Sequence, residues 1–317
     1  MIKKILLILL LCVSLCFPAT IEITSWAEVQ AVNSNRAGDY KLMNDLDKDS
    51  TGYATYNSGD GWTPLGSGGV QPLGFRGSFD GNGKTIADLR CQRVMQSYAG
   101  LFGYINNSGK SIINLNLKAV DIYNATNNDY VGAFAGYIEN ATVSGITTSG
   151  EVSKPIIEET KSVGGFAGRI KNSTISNCAS HCSASGYQFI GGFASTIETS
   201  TVSNCISTGA VNGTQGLYGF GDRQGGTWAD VFWDTQTSGI AAGGAGQGGT
   251  GKTTAEMKDI TTYANFDIAL MSSHTTETWF IDDGNDYPKL WYENNGASKI
   301  ERRRIMMGED ENGMVCY

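Results

Sequence analysis

Four segments of the chain are near copies of one another: "YAGLFGYI" from Tyr98, "YVGAFAGYI" from Tyr130, "SVGGFAGRI" from Ser162 and "FIGGFASTI" from Phe189. A truncated fifth copy, "LYGFG", starts at Leu217. Anchored on phenylalanine, they place Phe102, Phe134, Phe166, Phe193 and Phe220 at spacings of 32, 32, 27 and 27 residues. Units this short cannot bury an apolar face alone, so neighbouring units must cover one another. A second block follows each phenylalanine: "IINL" from Ile112, "VSGI" from Val143, "ISNC" from Ile175 and "VSNC" from Val202, with "IADL" from Ile86 read as an earlier copy. Ile86, Ile112, Val143, Ile175 and Val202 are expected to stack as one inward column. Leu89, Leu115, Ile146, Cys178 and Cys205 form another. Inward positions three apart break the two-residue alternation of a strand, so a turn must fall at Asp88, Asn114, Gly145, Asn177 and Asn204.

This pattern is strand, turn, strand, repeated and stacked. A propeller would need about 40–50 residues per blade, and no helical period runs through the repeats. The expected fold is all-β: a right-handed parallel β-helix (β-solenoid) with short capping helices. Composition agrees, because 42 glycines with only 17% charged residues suit short strands and tight turns rather than an average enzyme. The net charge of -8 and the lack of a basic stripe argue against nucleic acid as a partner.

The start, "MIKKILLILLLCVSLCFPAT", pairs Lys3 and Lys4 with a short apolar run and reads as a secretory signal peptide over 1–19. No other stretch is long and apolar enough to span a membrane. The remaining organisation is a solenoid over 20–235, a glycine-rich connector and C-terminal capping segment over 236–293, and a polar tail over 294–317 expected to be disordered. "SWAEV" from Ser25 has capping-box spacing and fits a short N-terminal capping helix.

The repeats "AGLFGYI", "VGAFAGYI" and "VGGFAGRI" resemble the GLUG-motif repeats of bacterial secreted and surface proteins. "YKLMNDLD" from Tyr40, "WTPLGS" from Trp62 and "FRGSFDGNGKTIADL" from Phe75 resemble the segment that precedes such repeats. "VFWDTQTSG" from Val231, "TTAEMKD" from Thr253 and "WFIDDGNDYPKLW" from Trp279 resemble the closing segment. The resemblance spans roughly residues 20 to 292. It implies a β-solenoid displayed outside the cell, with adhesion as its role, and it supplies no catalytic residues.

Several features invite chemistry. "GQGGTGKT" at 246–253 matches the phosphate-loop string through Gly246, Gly251, Lys252 and Thr253. No β-branched strand leads into it, and secretion removes it from cytosolic nucleotide. The expected role is a connector entering a helix capped by Thr253 and Glu256, and no nucleotide or other cofactor is expected. Aspartates in "DLDKDSTG" from Asp45, "DGNG" from Asp80 and "DDGND" from Asp282 read as turn chemistry, because an EF-hand would need Gly and Glu where Ser50 and Tyr56 stand. No metal site is expected. Parallel register puts Cys178 about 4.8 Å from Cys205, within disulfide range, and two readings stay open: a bridge, or two small core thiols.

The binding candidates are Tyr104, Tyr137 and Arg169, one column after the glycine turn with Thr196 next, and Tyr98 with Tyr130 in another. An outward column would offer planar groups to stack on sugars; ordinary corner packing is the other reading. Five N-x-[ST] sites, at Asn106, Asn124, Asn140, Asn172 and Asn212, mark surface positions in a host that glycosylates them. The chain is expected to be a monomeric, secreted or cell-surface binding protein for an extracellular glycan or surface protein. A secreted polysaccharide lyase or hydrolase on a β-helix, using acids among Asp121, Asp129, Glu139 and Glu151 with Arg169, is the alternative, and a purely structural stalk a third.

Overall fold

The computed structural model describes residues 19–67, 74–93, 97–124, 130–156, 161–243 and 247–293. The expected signal peptide (apart from Ala19) and the tail lie outside the described residues, as do Gly246 and Asp129. One coil shows the plan. The strand Tyr130–Gly132 runs into the phenylalanine turn, and Ala135–Glu139 leaves it. Asn140 then turns with φ of +52°, and the long strand Thr142–Ser153 completes the coil. The next coil repeats this with Lys161–Gly164, Ala167–Lys171, Thr174–Ser176 and Ala179–Ser185.

Every ladder within these coils joins one repeat to the next in parallel: Val131 faces Val163, Ile138 faces Ile170, and Val143 faces Ile175. A propeller would pair strands within a repeat instead. The result is a β-solenoid with a twelve-stranded main sheet and two five-stranded sheets.

The phenylalanine column is continuous. All five rings are fully buried. Phe134 and Phe166 lie 5.0 Å apart, Phe166 and Phe193 4.4 Å, and Phe193 and Phe220 4.5 Å, the last two pairs stacked with nearly parallel planes. Their backbones are pinned too: the Phe166 N–H donates to the Phe193 carbonyl at 2.7 Å, and the Phe193 N–H to that of Phe220 at 2.8 Å.

The turn positions behave as the spacing requires. Asp88, Asn114, Gly145, Asn177 and Asn204 all adopt left-handed backbone, with φ between +51° and +67°. Asn and Asp tolerate that region, and Gly145 enters it without strain. The inward columns hold from Ile112 onward, with Ile112, Val143, Ile175 and Val202 in register. The first expected member is corrected. Phe79, not Ile86, sits beside Ile112, and Ile86 pairs with Leu117. The reason is a register shift between Asp80 and Lys84, where "DGNG" inserts a bulge that the repeats lack. Leu89 is displaced likewise: its carbonyl accepts from Asp121 N–H, well past Leu115.

The N-terminal end is covered as expected. Ser25 caps the helix Trp26–Ala31, which buries Trp26 and Val29, and Asp39–Leu42 extends the main sheet. At the other end the glycine-rich connector becomes the strand Thr250–Lys252, paired with Phe232–Asp234. The segment after it does more than cap the end. It lies along the outer face of the main sheet, where the outward residues Ala179, Ile206 and Phe232 join Met257, Tyr263, Phe266, Trp279 and Leu290 in a second core. Two polar anchors fix its position. The Tyr292 hydroxyl shares its proton between the carbonyls of Leu115 (3.0 Å) and Gly145 (2.7 Å), and the Trp279 indole N–H donates to the Asn177 side chain at 3.2 Å. All three partners lie at the left-handed turns or beside them.

Removing one ring from the middle of the phenylalanine column leaves a void that its neighbours cannot close, because their backbones are held by coil-to-coil hydrogen bonds. Phe166→Ala is expected to destabilise the fold by roughly 3–5 kcal/mol. Chemical denaturation followed by circular dichroism checks this; a loss below about 1 kcal/mol would show that the column is not a structural spine.

Candidate binding surface

The expected binding column is real in register: Tyr104 faces Tyr137, Tyr137 faces Arg169, and Arg169 faces Thr196. Tyr98 faces Tyr130 in the adjacent sheet. Ile105, Ile138 and Ile170, one residue on, point into the core, so alternation turns Tyr104, Tyr137 and Arg169 outward. The two columns meet at one corner of the solenoid, and the structure brings all the named aromatic and cationic candidates together there.

The corner is crowded. Tyr104 stacks on Tyr137 at 5.2 Å, and Tyr98 stacks on Tyr130 at 6.1 Å. Tyr137 touches both Tyr98 and Tyr130 and is only 9% exposed. The Arg169 guanidinium sits over the rings of Tyr130 (5.5 Å) and Tyr137 (5.3 Å), grips Glu198 through two nitrogens at 2.8 Å each, and donates to the Tyr130 hydroxyl at 3.0 Å. The Tyr104 hydroxyl donates to Glu139 at 2.6 Å. Burial, reinforced by the Glu139 carboxylate, pushes the Tyr104 phenol up to about 12 and raises that of Tyr137 as well. Burial works against the Glu139 charge, yet the two tyrosine hydroxyls and Lys171 hold its carboxyl below the usual range. The faces of Tyr104 and Tyr137 are therefore spent on each other and on their neighbours. What the corner offers to solvent is a shallow groove of about 290 Å³ beside Tyr130, Arg169, Thr196, Glu198, Asp222 and Gln224.

The other sequence candidates are dispersed. Asp121 and Glu151 are exposed register partners on the main sheet, with Arg90 3.8 Å from Asp121; Glu139 belongs to the tyrosine corner on another sheet. Cys178 and Cys205 are neighbours, as the columns imply, but both are free thiols. Stacked side chains in parallel register point the same way, which does not suit the demanding S–S geometry. Each thiol instead donates to a carbonyl two residues back at 3.1 Å, and burial pushes the Cys205 thiol well up. Asp47 accepts from Asp49 N–H and Ser50, and Asp80 from Asn82 N–H, so these aspartates close turns. Among the described residues no group of three or more His, Cys, Asp or Glu side chains is placed to hold a metal. Thr253 and Glu256 form the reciprocal capping box, and Lys252 lies 3.6 Å from Glu256. Of the sequons, Asn124 is fully buried, whereas Asn140, Asn172 and Asn212 are exposed. No helix among the described residues is long and apolar enough to cross a membrane.

A second recess was not legible in the sequence. It is a cleft of about 430 Å³ between the outer face of the main sheet and the C-terminal segment. Asn116, Thr147, Ser149, His181 and Thr208 form its floor; Asp286, Tyr287, Lys289 and Glu293 form its wall. The His181 Nδ1 is 2.6 Å from the Thr208 hydroxyl. Glu293 accepts from Leu290 N–H (2.7 Å) and from Thr147 (3.1 Å). Burial pushes the Glu293 carboxyl up to about 7, against Lys289 and its hydrogen bonds, and burial lowers the His181 imidazole to about 4, against the opposing pull of Asp286. Thr147 and Glu293 are 146 positions apart in the chain, so no spacing pattern could have joined them.

No family model matches the chain. Over 137 residues it is 34% identical to a protein named Halomucin from Haloquadratum walsbyi (strain DSM 16790 / HBSQ001); the match covers 42% of this chain and 1% of Halomucin, so the chain spans a very small part of that relative. Among solved structures, an IgA1 Protease is similar over 67% of this chain and 19% of its own, at 16% identity and a TM-score of 0.34, a likeness too slight to bear on function. The chain is a repeat protein built as a β-solenoid.

The two shifted groups of the cleft pull stability in opposite directions. Glu293 binds its proton more tightly when folded, so its contribution is full below pH 4.5 and is lost as pH rises through about 7. His181 binds its proton less tightly when folded, so its contribution is full above pH 6.5 and is lost as pH falls through about 4. The effects offset each other between pH 4.5 and 6.5. Glu293→Gln is expected to leave the His181 effect alone, so that variant loses stability on acidification below pH 6.5 more steeply than wild type. His181→Asn should instead lose stability as pH rises towards 7. Thermal melts across this range check both, a 1 kcal/mol change moving Tm by roughly 2–4 °C; parallel profiles for all three proteins would contradict the assignment.

Proposed function

We propose that the chain is a secreted or cell-surface binding protein that presents the tyrosine–arginine corner of its solenoid to a glycan. One observation carries this reading: the groove beside Arg169 lies against side chains that rise in register from successive coils, so it continues along the solenoid axis. An extended ligand fits such a surface better than a compact one. The edge of the half-buried Tyr130 ring supplies an apolar contact, and Arg169, Glu198, Asp222 and Gln224 supply hydrogen bonds to hydroxyls. The guanidinium is already fixed by Glu198, so little side-chain entropy is lost on binding.

The resemblance of the repeats to the GLUG motif supports a place outside the cell, as do the leader-like N-terminus and the similarity to a protein bearing the name of a mucin.

A glycan array with the full chain tests the reading. Wild type should bind a restricted set of extended glycans, and Arg169→Ala and Tyr130→Ala should each weaken that binding by tenfold or more while keeping the β-rich circular dichroism spectrum. Tyr104→Ala should have the smaller effect on binding and the larger one on stability. Undiminished binding by Arg169→Ala would discard the corner. Release of reducing or unsaturated ends during the same incubations would move the protein to the polysaccharide-active enzymes.

A further inference from the structure

We propose that the cleft between the outer face of the main sheet and the C-terminal segment is a second binding site, one that takes a neutral sugar unit. The inference rests on the reading of the chain as a glycan-binding protein and adds a site remote from the corner. At about 430 Å³ the cleft lies within the roughly 300–1,000 Å³ of small-molecule sites. Its floor is built on paired strands of the main sheet, where Thr147 faces Asn116 and Ser149 faces His181, so the polar groups stand on a rigid base.

Two groups are left with open hydrogen-bonding capacity. Both donors to Glu293 use the same oxygen, Oε1, and Oε2 has no protein donor among the described residues. His181 engages Thr208 through Nδ1, and its Nε2 likewise has no protein partner there. Around them stand the side chains of Asn116, Thr147, Ser149 and Thr208, which can each give and take a hydrogen bond. The His181 and Tyr287 rings, 6.2 Å apart and tilted by 39°, give a sugar ring an apolar wall. Charge selects the ligand class. An anion would meet the carboxyl groups of Asp286 and Glu293, and a cation would meet Lys118 and Lys289. A neutral polyol meets neither repulsion.

Nuclear magnetic resonance titration of the full chain with lactose, cellobiose, maltose and N,N′-diacetylchitobiose tests the site. At least one disaccharide should shift the amides of Thr147 and Ser149 and the ring protons of His181 in a saturable way. Ser149→Trp, which fills the cleft, should abolish those shifts. Arg169→Ala, which strikes only the corner, should leave them unchanged, so failure of the corner and failure of the cleft are separable. Glu293→Gln keeps an acceptor for Leu290 and Thr147. A carboxylate accepts more strongly than a carboxylic acid, so wild-type affinity should rise several-fold from pH 6 to pH 8 and the variant's should not. Absence of shifts at these residues with all four disaccharides, or shifts that persist in Ser149→Trp, would overturn the proposal.

Discussion

At one equivalent position in successive coils of the main sheet the backbone turns left-handed, and much of the molecule depends on that turn. Without it, strict alternation would send one of each pair such as Ile112 and Leu115 outward. With Asn114, Gly145, Asn177 and Asn204 in the left-handed region, both residues of each pair enter the core and the strand bends around it. The bend also leaves polar groups facing out. Leu115 and Gly145 present carbonyls that Tyr292 takes up, and Asn177 presents a side chain that Trp279 reaches. The C-terminal segment is seated on the outer face by these groups, and the cleft exists because it is seated there.

The corner illustrates a different economy. Aromatic side chains repeated at coil spacing are drawn to one another before they are drawn to a ligand. Tyr104 and Tyr137 face each other, and their hydroxyls turn to Glu139. Arg169 breaks the run. It covers two rings and ends the stack, and from there on Thr196 and Asp222 continue the column with smaller groups. The groove opens at that change from large to small side chains.

The repeat period made the coils, the phenylalanine column and the left-handed turns legible in the sequence, because each is a consequence of equivalent residues being placed in parallel register. The same argument placed Cys178 beside Cys205 and aligned Tyr104, Tyr137 and Arg169. It misassigned Ile86 and Leu89, where the bulge at "DGNG" shifts the register before the regular coils begin. It left open whether those columns face outward or pack at a corner; the structure turns them outward and packs the rings on one another. The C-terminal segment was read as an end cap because local patterns do not show that Ala179, Ile206 and Phe232 form an apolar strip on the outside of the sheet. The cleft arises where that segment crosses the sheet, and contacts of such long range leave no local trace.

The phenylalanine spacing falls from 32 to 27 residues without disturbing the stack of rings. The difference lies at a single place in the coil: residues 154–160 link the main sheet to the next coil, whereas residues 186–187 make the same link one coil later. Chain length is thus free to vary at one corner while the spine stays fixed. A scaffold of this kind separates the part that must be kept from the part that can change, so new surface can be added one loop at a time without renegotiating the fold.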